Sequence, residues 1–79
     1  MNNRTYTLNT LSIGNKAVVN NLTSDGPHKR RMNDLGLAPG TEVKALHRSP
    51  AGDPTAYYIM GTVIALRADD AKNIIIQNI

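Results

Sequence analysis

Apolar residues in this chain fall into short alternating runs broken by clusters of glycine, proline, asparagine and aspartate, and only one stretch departs from that rhythm. Lys16–Leu22 has the valines and the length of a first strand, with Ala17 and Val19 on one face and Val18 either outward or at a bulge. Residues 41–48 alternate Val43 and Ala45 against Glu42 and Lys44, then slip at Leu46-His47, as a bulged strand does. Residues 49–54 hold two prolines, a glycine and an aspartate and therefore form a loop. Residues 56–60 return as a strand. Gly61 then marks a sharp bend or a close backbone approach, and residues 62–67 form a fourth strand with Ile64 and Leu66 on one face. Residues 73–79 make a last β-branched strand with Ile74 and Ile76 inward. Ahead of these, Tyr6, Leu8, Leu11 and Ile13 precede a Gly14-Asn15 turn, with Leu8 and Leu11 one helical or 3-10 turn apart, so the opening reads as a lid on the core.

The exception is the stretch that ends in Leu35-Gly36-Leu37-Ala38-Pro39-Gly40-Thr41. Ser24 or Asp25 can cap a helix whose first turn accepts Pro27 and which runs to Leu35. Gly36 supplies the left-handed residue that stops it, and Leu37 folds back on Met32 to close the stop with an apolar contact. Pro39-Gly40 has the residues of a type II turn, so a strand can start at Thr41. Arg30 and Asp34 stand four apart and can pair for about 0.2–0.5 kcal/mol. So short a helix must be docked by Met32, Leu35 and Leu37. Asp69-Asp70-Ala71 reads as a short helical turn that an aspartate caps.

The predicted architecture is therefore mainly β. It is a small SH3-like barrel of about five antiparallel strands, with one helix between the first and second and a helical turn before the last, closed on itself to protect its edges. At 79 residues the chain is one domain, 1–79, with an ordinary apolar fraction of 41%. It has no cysteine, which excludes thiolate metal sites and thiol chemistry and favours the cytosol. No apolar run approaches the roughly 18 to 20 residues that span a bilayer, and residues 1–4 lack the apolar core of a signal peptide, so the expectation is a cytoplasmic protein without membrane insertion.

A net charge of +3 and a pI near 9.6 make acidic partners worth weighing. The only cluster is Lys29, Arg30 and Arg31, which reads either as a solvated helix face or as a contact for an acidic protein or an anionic membrane surface. Tyr57 and Tyr58 alternate on a strand, so one must face outward, beside the loop of residues 49–54, as a second candidate surface. His28 and His47 lie on different elements and read as surface histidines. Asp53 reads as a turn aspartate, and Asp69-Asp70 as a cap rather than an acid/base pair. No catalytic, cofactor or metal site is assigned.

In order and at the expected gaps, Leu8, Leu11, Gly14, Val19, Arg31, Asp34, Leu35-Gly36-Leu37, Pro39-Gly40-Thr41, Val43, Ser49-Pro50, Gly52-Asp53-Pro54, Gly61, Ala65-Leu66-Arg67 and Ala71 resemble the FeoA family of bacterial ferrous-iron uptake. Met32 stands where that family usually has leucine, a change that keeps volume and polarity. The resemblance implies an SH3-like barrel, no enzymatic activity, and a cytoplasmic role as partner of FeoB, the permease with a cytoplasmic G-protein domain. The same module also occurs at the C-terminus of metal-responsive repressors, but no DNA-binding or dimerisation domain precedes it here, so a free-standing accessory protein is the expectation. Two other readings stand beside it. One is a basic barrel that binds nucleic acid, disfavoured by the few aromatics, three tyrosines in all, and the lack of a basic stripe. The other is a module that self-associates weakly through a strand edge.

Overall fold

Alternation along each strand puts one face into a single core, and the structure, a computed structural model, describes that arrangement for residues 5–23 and 26–78, side chains of His28 and Asn78 excepted. In chain order the elements are β1 (Thr5–Thr7), a 3-10 turn (Leu8–Thr10), β2 (Lys16–Leu22), α1 (Gly26–Asp34), β3 (Glu42–Arg48), β4 (Thr55–Ile59), β5 (Thr62–Leu66), α2 (Ala68–Ala71) and β6 (Ile74–Asn78). The strands form one antiparallel sheet in the order β1-β6-β2-β3-β4-β5. Ala17, Val19, Val43, Ala45, Tyr57, Ile59, Ile74 and Ile76 project inward from it, and Leu8, Met32 and Leu37 cover them.

Six strands replace the expected five. The sixth is Thr5–Thr7, which pairs Tyr6 with Ile76 on β6. Only Tyr6 is apolar in that segment, so periodicity carries no signal there. Its successor behaves as the lid anticipated, with Leu8 and Leu11 buried. The sheet does not close through hydrogen bonds: β1 and β5 are its two edges.

The β3 slip is a bulge between Ala45 and His47, as the sequence suggested, and a second lies on β2 between Val19 and Asn21, two residues beyond Val18. Strand β4 ends one residue earlier than expected. Met60, with φ 50°, joins Gly61, with φ 82°, in a two-residue turn that sets Ile59 opposite Thr62, the type I′ geometry whose twist suits a hairpin.

α1 ends as its sequence dictates. The Leu37 amide donates to the Met32 carbonyl (2.9 Å) and the Gly36 amide to that of Asn33 (3.0 Å), the paired bonds of a Schellman cap, with Gly36 at φ 99° and both Met32 and Leu37 buried. The next turn follows at Gly40 (φ 94°), where the Thr41 amide reaches the Ala38 carbonyl at 3.1 Å. This turn is bolted to β2, since the Gly40 amide donates to the Val19 carbonyl and the Val19 amide to that of Thr41, both at 2.8 Å. The Ser24 and Asp25 capping expectation lies outside the described residues.

Two local expectations fail. Arg30 and Asp34 are exposed but form no ion pair; among the described residues Lys16 pairs with Glu42, Arg67 with Asp53 and Lys72 with Asp69. Nor does Asp69 or Asp70 cap the second helix. α2 starts at Ala68, so both lie inside its first turn, past the capping position held by Arg67. Its cap arrives from the loop: Asp53 Oδ1 accepts the Ala68 amide at 2.8 Å, with Arg67 3.9 Å from Oδ2. Asp53 is thus a turn residue that also fastens its loop to α2. Ser49 holds the same loop from the other side, its hydroxyl donating to the Asp53 carbonyl at 2.8 Å.

Candidate docking groove

Adjacent positions on a strand face opposite ways, and on β4 this separates the two candidate tyrosines. Tyr57 is 2% exposed, a core residue whose hydroxyl donates to the Leu8 carbonyl (3.4 Å) beneath the lid, and its burial removes it from any docking surface. Tyr58 is 47% exposed. It sits towards the Met60-Gly61 turn, whereas the loop of residues 49–54 leads into the opposite end of β4, so the expected proximity of the outward tyrosine to that loop is not found.

Around Tyr58 the outer face of the sheet forms a groove of about 670 Å³, lined in part by Lys16, Glu42, Lys44, Leu46, Met60 and Gly61. Each is placed by backbone pattern. Glu42 and Lys44 alternate outward from the buried Val43 and Ala45. Leu46, the extra residue of the bulge, follows Glu42 and Lys44 onto the outer face and lines the groove half-buried, while His47, which strict alternation would turn inward, is left exposed. Met60, 74% exposed, is carried out on the hairpin turn.

Strand register sets the charges. Lys16, Lys44, Tyr58 and Val63 lie in one row across β2, β3, β4 and β5. Two lysines directly opposite one another repel, and Lys16 is relieved by Glu42 at 3.8 Å. Lys44, half-buried beside the Tyr58 ring position, has no carboxylate partner among the described residues. Among the described residues the groove is therefore an apolar shelf with one unmatched positive charge.

Lys29, Arg30 and Arg31 are exposed on α1. The structure does not place them in the groove, but it ties the helix to the groove's end. A Cβ built on Gly36 would stand 3.1 Å from Met60 Sδ and 3.3 Å from Ile59 Cγ2. The glycine that stops the helix is thus also the point where the helix abuts the hairpin turn, a role no local sequence signal reveals. Gly36→Ala is expected to cost about 2 kcal/mol, combining about 1–2 kcal/mol of left-handed strain with the clash against the stiff Ile59 side chain. Gly40→Ala, with similar φ and nothing within 4 Å of its Cβ, isolates the strain. Paired urea unfolding curves should show Gly36→Ala as the more damaging.

Burial raises the Tyr57 hydroxyl above its ordinary value near 10, against the opposing influence of Thr55 and Arg48. Unfolded, the phenol ionises near 10; folded, it keeps its proton to higher pH. Its contribution is therefore complete below 10 and is lost as pH rises from there through the folded value. Urea midpoints measured from neutral pH to beyond 10 should fall in that alkaline window, and Tyr57→Phe should remove this part of the fall.

His47 is exposed, and among the described residues no three His, Asp or Glu side chains gather as a metal-binding group. No described helix is long and apolar enough to cross a membrane. The molecule is a small SH3-like β domain with a groove on the outer face of its sheet and three exposed basic residues on its longer helix.

Comparison with known proteins gives the family. The FeoA domain matches residues 6–78, and the chain belongs to that family. FeoA of Chlorobium tepidum is 30% identical, with a TM-score of 0.85 over 92% of this chain and 70% of that one. A FeoA-like protein of Clostridium acetobutylicum is 29% identical, with a TM-score of 0.89 over 100% of this chain and 91% of that one. FeoA of Stenotrophomonas maltophilia, an SH3 domain protein solved with zinc, is 30% identical with a TM-score of 0.78 over 89% and 87% of the two chains. A fusion of Fe(2+) transport protein A with the transporter FeoB in Porphyromonas gingivalis is 29% identical over 70 residues, covering 89% of this chain but only 8% of that protein's length. Membership of the family links this chain to ferrous-iron transport.

Proposed function

We propose that the chain is a non-enzymatic accessory protein that docks on the cytoplasmic G-protein part of a FeoB-type permease and modulates ferrous-iron transport. The observation that carries this reading is the groove: the exposed Tyr58 and Met60 and the half-buried Leu46 form an apolar shelf beside Lys44, which has no carboxylate partner among the described residues, features that suit a partner with an apolar ridge and a carboxylate. The fused relative adds support, because joining the two modules in one polypeptide raises their effective concentration to the millimolar range and lets a weak contact act. A contact between separate chains has no such help and must supply its own affinity, and the groove and the basic face of Lys29, Arg30 and Arg31 are the surfaces that would supply it. Modulation then requires only that one state of the G-protein domain be bound better than another, since a ligand shifts an equilibrium by its difference in affinity and by nothing else.

Titrating the purified chain into the isolated cytoplasmic domain of the permease, with GDP and with a GTP analogue, tests this. A saturable complex whose affinity differs between nucleotides is expected. A chain that ignores the domain but is retained on short nucleic acids with a steep salt dependence would replace this reading with nucleic-acid binding.

A further inference from the structure

The sheet's two edges are not alike. β1 is a three-residue strand with threonine at both ends, the sort of short polar edge that invites no partner. β5, Thr62-Val63-Ile64-Ala65-Leu66, has five residues with no charge and no proline, and pairs with β4 in unbroken register. Natural edges are blunted by charge, proline, bulges or shortness, and β5 has the first three protections in none of its positions. Its own Val63, with Tyr58 opposite on β4 and Met60 in the turn between them, makes three of the five large apolar side chains that are most exposed among the described residues.

Backbone geometry says which groups are free. Ile59 and Thr62 flank a two-residue turn, so they form the narrow hydrogen-bonded pair of the hairpin, and Tyr57 with Ile64 and Thr55 with Leu66 repeat it. The N–H and C=O groups of Val63 and Ala65 therefore point away from β4, towards the open edge.

We propose that β5 pairs antiparallel with β5 of a second copy of this chain, centred on Ile64. In that register Val63 meets Ala65 of the second copy, and both have their free backbone groups aimed across the interface, so each exchanges two hydrogen bonds; the two-fold axis repeats the set. On the outer face the exposed Val63 lies against Ala65 of the other copy, continuing the row from Tyr58. On the inner face Ile64, only half-buried in one chain, meets its counterpart. The first charge beyond the strand, Arg67, stands opposite Gly61, so no like charges oppose. An isologous contact needs a self-complementary patch, and this strand is one. The inference is independent of the docking reading and uses a different element.

Sedimentation equilibrium of the whole chain up to about 1 mM, where even weak interfaces populate, should show a monomer–dimer equilibrium that tightens with salt as the net +3 on each copy is screened. Val63→Lys, at a position 58% exposed, should weaken dimerisation at least tenfold while leaving the unfolding midpoint in place. Ala65→Arg should do the same, and Thr5→Lys on β1 should not. Amide exchange at Val63 and Ala65 should slow with protein concentration in the unmodified chain. A monomer at every concentration, a dimer insensitive to both β5 variants, or one broken by Thr5→Lys overturns the proposal. So does β5 protection that appears only when the permease domain is added, which would assign the edge to a partner strand.

Discussion

Tyr57→Ala is expected to destabilise the domain by about 3–5 kcal/mol, the range for truncating a large buried aromatic ring to alanine. Tyr57 heads the largest fully buried side chains and bridges two layers, its ring in the core and its hydroxyl on the Leu8 carbonyl of the lid. The cavity left by the ring cannot be filled by neighbours already seated on the sheet, Ala45 opposite it on β3 and Ile64 on β5. A domain of 79 residues has about 4–12 kcal/mol to lose. Urea titration followed by circular dichroism should therefore show a midpoint collapsed towards zero denaturant. A shift worth less than about 1 kcal/mol, the range of an ordinary surface change, would show that the sheet is not organised around this residue.

One position along, the same substitution should do the reverse. Tyr58→Ala is expected to leave stability within about 1 kcal/mol, since only cross-strand contacts to Lys44 and Val63 are lost. Binding to the permease domain should weaken by about 2 kcal/mol, roughly 30-fold, as for a tyrosine anchor in the centre of an interface. Calorimetric titration reads both Kd and the fraction of competent protein, so a folding defect cannot pass for an affinity loss. Met60→Ala, at the end of the same shelf, should follow Tyr58→Ala in direction.

How far the sequence reveals this arrangement depends on whether the deciding interaction is local. Gly36, Leu37, Pro39 and Gly40 act within a few residues of themselves, through φ and short-range hydrogen bonds, and the cap and turn they form are legible before any fold is known. The slip at Leu46-His47 was legible as a bulge for the same reason. What it does with Leu46 was not, because the groove exists only when β4 lies alongside. The cap of α2 hides likewise: Asp69 and Asp70 stand at the right place in sequence, but Asp53 reaches the helix from fifteen residues earlier. Gly36 shows both cases at once, with its left-handed φ readable and its approach to Met60 invisible. The alternation of Tyr57 and Tyr58 predicted that one would face outward, but only the strand's position in the sheet says which. Lys44 carried no special signal either; it becomes notable because Glu42 is occupied by Lys16.

Whether the groove is the face that docks can be read by mapping amide shifts of the isotope-labelled chain as the unlabelled cytoplasmic domain of the permease is added. The prediction is that the perturbed amides gather at Lys44, Leu46, Tyr58, Met60 and Gly61, with a second set at Lys29, Arg30 and Arg31 where the basic helix shares the contact. Saturating shifts confined to the loop of residues 49–54 and α2, with the groove unmoved, would contradict it.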